Sequence, residues 1–204
     1  MKDYPSRVYV PNSGSNSVDV INPATYIIIE HFRVGRQPQH VTPSGELKLP
    51  RQGMPQIVKL SPDGKIFYVA DMDATGVYEV DGDAFKDPGF IPTGKGAHGL
   101  YTSRDSRVLY VSNRGEGSIF LIGFAERRVL TMWRLPAGGS PDMAGVSADG
   151  KVLWLSGRNN REVYAIDTAN GSLLARIKVG KGPHGLCVYP QPGRYSLGHT
   201  GIFR

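Results

Sequence analysis

Little in this chain can hold it together covalently. Cys187 is its single cysteine, so an intrachain disulfide is excluded and the redox compartment stays open. It sits in the apolar pattern GLCVYP and reads as a small buried hydrophobe rather than a nucleophile. Long apolar runs are missing too. The longest lies around residues 27–29, which argues against a membrane-spanning helix. The opening MKDYPSRVYV lacks the apolar core of a signal peptide and reads as a mature sequence or the start of a cytoplasmic protein. No stretch keeps a helical period with caps, so helices longer than a turn or two are not expected.

Catalytic signatures are equally scarce. There is no G-x-S-x-G elbow, no H-E-x-x-H helix and no C-x-x-C pair. GKGAHG and GKGPHG lack the spacing of a phosphate loop and read as connections, and NRGEGS reads as a strand turn. A dense basic block is absent as well. The net charge of +6 comes from scattered pairs such as Arg104 and Arg107 or Arg158 and Arg161, the pattern of a solvated surface.

What is present is glycine, proline and repetition. The 204 residues include 26 glycines and 15 prolines, and 40% are hydrophobic, which suits one globular domain of short strands and tight turns. Four segments superpose: SRVYVPNSGSNSVDVINP, KIFYVADMDATGVYEVDG, RVLYVSNRGEGSIFLIGF and KVLWLSGRNNREVYAIDT. Their aromatics Tyr9, Tyr68, Tyr110 and Trp154 stand 59, 42 and 44 residues apart and are expected to pack between units.

A second register aligns Gln39, Gln56, His98, Asp142 and His184 at spacings of 17, 42, 44 and 42. The irregularity therefore lies between residues 40 and 56, where a first strand runs straight into a fourth. Each unit reads as four strands, and a period near 42 with four strands is that of a propeller blade. Strands are expected near 8–12, 17–21, 66–70, 76–80, 108–112, 118–122, 152–156 and 162–166.

The fold class that follows is an all-β propeller in one domain, 1–204, of four four-stranded blades and a stunted two-strand unit. The units fall at 7–37, 55–96, 97–140 and 141–182, with the stunted unit at 38–50 and a tail at 190–204. The chain opens in a second strand and its last repeat strand, at 183–189, is a first strand. That strand can close the N-terminal blade as a clasp and so remove a sheet edge. In a closed ring four blades would meet at about 90° and eight at about 45°. A homodimer forming one joint eight-bladed ring is therefore expected, with each closing strand exchanged between copies.

The motifs VYVPN, FYVAD, LYVSN and LWLSG, with GMPQIVKLSPDGK, resemble the YVTN-type β-propeller repeat family, and the tail PQPGRYSLGHTGIFR resembles its bacterial YncE-like members. The resemblance covers about residues 5–203. It implies a bacterial or archaeal, extracytoplasmic (periplasmic or secreted) protein of seven blades, so this chain is shortened by about three repeats.

The aligned polar column starts each innermost strand and should ring one mouth of the central channel. Gln39, Gln56, His98, Asp142 and His184 are the candidate ligand-binding residues, with His40 beside them and His31 and His199 outside. His98, Asp142 and His184 have the donor chemistry for a divalent metal ion, and the whole column suits a small acidic ligand. The leading function is a noncatalytic scaffold that binds a ligand or protein partner at this mouth or on the blade loops. The alternatives are a metal-dependent hydrolase or lactonase at the same mouth and single-stranded nucleic-acid binding through the basic surface.

Overall fold

A computed structural model describes residues 8–12, 14–34, 36, 49, 53–84 and 88–188. Every regular element among them is a β-strand. Blade 1 is the three-stranded sheet of β1 (Val8–Asn12), β2 (Ser17–Asn22) and β3 (Ile27–Arg33). Blade 2 contains β4 (Pro55–Leu60), β5 (Ile66–Asp71), β6 (Gly76–Asp81) and β7 (Gly89–Pro92). Blade 3 contains β8 (Ala97–Thr102), β9 (Val108–Asn113), β10 (Ser118–Gly123) and β11 (Arg128–Arg134). Blade 4 contains β12 (Pro141–Val146), β13 (Val152–Gly157), β14 (Glu162–Asp167) and β15 (Leu173–Lys178). Each is an antiparallel meander, and the inner strands lie side by side, β4 against β8 and β8 against β12.

One hydrogen bond recurs at the first turn of blades 2, 3 and 4 and explains the repeated S-x-D. The hydroxyl oxygens of Ser61, Ser103 and Ser147 accept the N–H of Ile66, Val108 and Val152 at 2.9, 3.0 and 2.9 Å. A short side chain thus holds the start of the second strand to the end of the first. Gly64 and Gly150 take φ of +76° and +77° in two of these turns, where a side chain would be strained.

The core lies between blades, because each sheet is apolar on both faces. One face of blade 2, with Tyr68, Ala70, Val77 and Ile91, packs on Leu109, Val111 and Ile122 of blade 3. The opposite face of blade 3, with Tyr110, Ile119 and Leu121, packs on Leu153, Leu155, Tyr164 and Ile166 of blade 4. The trailing face of one blade thus meets the leading face of the next. Arg104 reinforces the second interface, donating to the carbonyls of Ser147 and Val146 at 2.9 and 2.6 Å. It is a clamp between blades and not part of a solvated surface.

Three expectations need amendment. Blade 1 has three strands where four were expected, because no inner strand pairs with β1 among the described residues. The clasp is likewise not formed among the described residues. Residues 183–188 belong to no strand, and they lie beside β12, where the nearest neighbours of a side chain at Gly145 would be Val188 and Leu186. Cys187 is exposed rather than buried, since in the inner-strand alternation it falls on the side away from that contact. Of the stunted unit at 38–50 only Leu49 is described, packed near Val69, Tyr78 and Val80; the rest lies outside the described residues.

Leu153 is fully buried at the interface of blades 3 and 4. Leu153→Ala is expected to lower the unfolding free energy by about 2–5 kcal/mol, read from urea denaturation.

Candidate functional site

The polar column sits where the inner strands break their ladders. The register shifts between Pro55 and Val58 in β4, between Ala97 and Gly99 in β8, and between Pro141 and Ala144 in β12. Gln56, His98 and Asp142 fall inside these irregularities. A bulge turns a side chain out of the pleat and frees backbone groups from the ladder. Here the freed groups are claimed by two serines. Ser112 Oγ accepts the Gly99 N–H at 2.9 Å and donates to the Asp142 carbonyl at 2.7 Å. Ser156 Oγ accepts the Met143 N–H at 3.1 Å and donates to the His184 carbonyl at 2.7 Å. Each serine therefore fixes the column residue of the following inner strand. Gly99 is required by this close approach, since a Cβ there would lie 2.6 Å from the Asp142 carbonyl oxygen.

The result is a cluster around Asp142, whose side chain is fully buried. His98 Nδ1 stands 2.9 Å from Oδ1, at an angle outside hydrogen-bond alignment. His184 Nδ1 is hydrogen-bonded to Oδ2 at 2.9 Å. The imidazoles meet edge to face, with centroids 5.7 Å apart. Arg114 donates to Oδ1 at 3.3 Å and reaches Met72 Sδ of blade 2 at 3.1 Å. Arg158 Nη1 lies 3.7 Å from Oδ2.

Burial alone would push the Asp142 carboxyl up, but the His98 contact, the Arg114 charge and the His184 hydrogen bond carry it below its ordinary 3.8. Desolvation holds the His98 imidazole below its ordinary 6.5 against the pull of Asp142. The cluster is thus an ionised carboxylate, a neutral buried imidazole, a second imidazole and two guanidinium groups.

The three residues singled out from the repeat do come together, but not around an open, water-filled mouth. His98 and Asp142 are buried, and the exposed parts are His184 at 33% and Arg158 at 43%. Gln56 donates to the Met54 carbonyl at 3.3 Å within its own blade. Gln39, His40 and His199 lie outside the described residues. His31 pairs with Asp19 on blade 1, at 2.5 Å. Sequence reasoning missed Arg114, Arg158, Ser112 and Ser156. Their signal was the shared S-x-R of LYVSNR and LWLSGR, which begins at one position of two successive units. NRGEGS is accordingly more than a turn, because its arginine is Arg114.

Blade packed on blade with a polar cluster on the inner strands defines a β-propeller of the tandem-repeat class. A family description, YncE-like β-propeller, matches residues 47–193, well over half of the chain. This chain belongs to the YncE-like β-propeller family. Antigen Lp49 of Leptospira interrogans is 26% identical over 166 residues, covering 70% of this chain and 36% of Lp49. Hydrazine synthase of Kuenenia stuttgartiensis superposes with a TM-score of 0.59 at 22% identity, over 88% of this chain and 48% of its own. A catalytically inactive virginiamycin B lyase from Staphylococcus aureus with quinupristin gives 0.59 at 15% identity, over 88% and 55%. The chain therefore spans about a third of the curated relative and about half of these two structures. The structural likenesses show the propeller fold alone.

The two lowered pKa values fix a pH dependence. His98 takes up its proton more readily in the unfolded chain, so its contribution is complete above pH 6.5 and is lost as pH falls from 6.5 through the folded value. The Asp142 contribution is present above about 3.8 and is lost below it. Urea unfolding is expected to show stability declining below pH 6.5, and His98→Gln to flatten that part of the profile while leaving the more acidic step.

Proposed function

We propose that this chain is a noncatalytic binding module that takes a small anionic ligand at the Asp142 cluster. The observation that carries this reading is an imbalance of charge. One carboxylate faces two guanidinium groups and two imidazoles, and the guanidinium of Arg158 and the ring of His184 are its exposed members. Asp142 spends both oxygens in holding these groups in place. The remaining N–H donors of Arg158 and Arg114 suit a carboxylate or phosphate group, which guanidinium recognises in bidentate fashion.

The metal-dependent hydrolase reading rests on the same residues. His98, Asp142 and His184 offer ligand atoms within 4.8 Å of one another. An ionised carboxylate and a neutral imidazole are the protonation states a metal needs. Two guanidinium groups 3.3 and 3.7 Å from that carboxylate oppose a divalent cation, and both imidazoles already turn Nδ1 to Asp142. Charge therefore favours the anion. Single-stranded nucleic-acid binding draws on the net charge of +6, and a steep loss of affinity with salt would be its mark. An extracytoplasmic location is part of this reading and draws on the family resemblance. No helix among the described residues is long and apolar enough to cross a membrane.

Calorimetric titration with inorganic phosphate, succinate and zinc separates the readings. The anions are expected to bind, and Arg158→Ala to weaken them by about ten- to a hundredfold, the value of a charge-assisted hydrogen bond. Stoichiometric zinc binding without anion binding would overturn the proposal.

A further inference from the structure

Among the described residues one blade has no inner strand, and one segment with an inner-strand sequence has no blade. In blades 2, 3 and 4 the second strand pairs with an inner strand, whereas β1 ends the sheet of blade 1 among the described residues. Residues 183–188, PHGLCV, repeat the inner-strand pattern of AHGLYT in β8. They are set beside β12 by the Ser156 bond to the His184 carbonyl and the contact of Leu186 with the Gly145 backbone region. That is where β8 stands relative to β4, one blade further on. The segment thus occupies the first position of a fifth blade, and no second strand of that blade lies among the described residues.

The blade faces tell the same story. Position by position, Val8 of blade 1 corresponds to Leu109 and Leu153, which are fully buried, yet Val8 is 46% exposed. Ile21 corresponds to Ile122 and Ile166, both buried, yet is only half-buried, and Ile28 opposite it is exposed. These are leading-face residues on which no preceding blade lies among the described residues. On blade 4, Ile177 is 44% exposed, although its equivalent Ile91 is buried against blade 3. Ile177 lies on the trailing face. At the interfaces of blades 2 and 3 and of blades 3 and 4 a trailing face packs on a leading face, so the two open faces are complementary by kind.

We propose that a second copy of this chain fills both vacancies, joining head to tail so that residues 183–188 of each copy pair with β1 of the other. The register follows from β8 and β9, where Leu100 opposes Val111 and Tyr101 opposes Tyr110. Transferred to the junction, Leu186 opposes the other copy's Val10 and Cys187 opposes its Tyr9. The pairing covers the exposed edge of β1 and buries the apolar faces of blades 1 and 4 at two symmetric junctions. Eight blades then share the circle at about 45° each, without the repacking that closure of four at about 90° demands. This inference is independent of what the Asp142 cluster binds.

Two measurements test it. Light scattering on the wild-type chain is expected to give twice 22.2 kDa, and Ile177→Asp to shift the population to the single-chain mass. Tyr9→Cys, oxidised in dilute solution, is expected to link position 9 to Cys187 between chains and run at the doubled mass on a non-reducing gel. Tyr26→Cys, on an exposed turn of blade 1, is expected to leave the chain unlinked. A wild-type mass of 22.2 kDa throughout the micromolar range would overturn the proposal, as would a position 9 to Cys187 link formed within one chain.

Discussion

A four-stranded sheet with apolar residues on both faces has no stable existence alone. Alternation along a strand sends Leu153 and Leu155 to one side and Trp154 to the other, and both sides must leave water. The only geometry that satisfies such a sheet is a neighbour on each face. Everything else here follows from that need: the repetition, the contact of inner strands with inner strands, and the exposure of Val8 and Ile177, on which no neighbouring blade lies among the described residues. It also places chemistry. Inner strands gather around one axis, so a residue repeated at their starts meets its own counterparts, and His98, Asp142 and His184 are three such counterparts.

Burying an ionised carboxylate is costly unless donors surround it. Around Asp142 the surrounding groups come from four places in the chain: His98 from β8, Arg114 and Arg158 from the turns that follow β9 and β13, and His184 from the segment after β15. The carboxylate thereby ties blades 3 and 4 and the segment at 183–188 into one electrostatic unit. Removing it would leave two guanidinium groups facing two imidazoles, so the cluster is held together by its single acid.

Much of the fold was legible because repetition reports tertiary position. Once Tyr68, Tyr110 and Trp154 are aligned, the strand boundaries follow within a residue, and the column of Gln56, His98 and Asp142 falls on the inner strands as expected. The convergence of His98, Asp142 and His184 was readable for the same reason. The bulges were not, since a ladder slip leaves no residue signature when Ile57, Gly99 and Met143 occupy equivalent places. Without the bulges, the burial of the cluster and the part of Ser112 and Ser156 are invisible. Arg114 and Arg158 escaped because an arginine after a strand end reads as surface, and only the fold carries its side chain back over the axis. Cys187 was misjudged because GLCVYP has the apolar pattern of a paired strand, whereas residues 183–188 belong to no strand and leave the thiol exposed.

The two serine bridges have a mechanical consequence. Near the axis, the distance from one blade to the next is held by hydrogen bonds of one length, 2.7 Å from Ser112 to blade 4 and 2.7 Å from Ser156 to the following segment. At the rim it is held by side-chain bulk, Ile91 at one interface and Trp133 at the next. A pinned inner edge and a variable outer edge make each blade a wedge whose opening is adjusted at the periphery. Changing the volume of a rim residue therefore alters the opening of that one wedge, while the chemistry at the axis stays as it was.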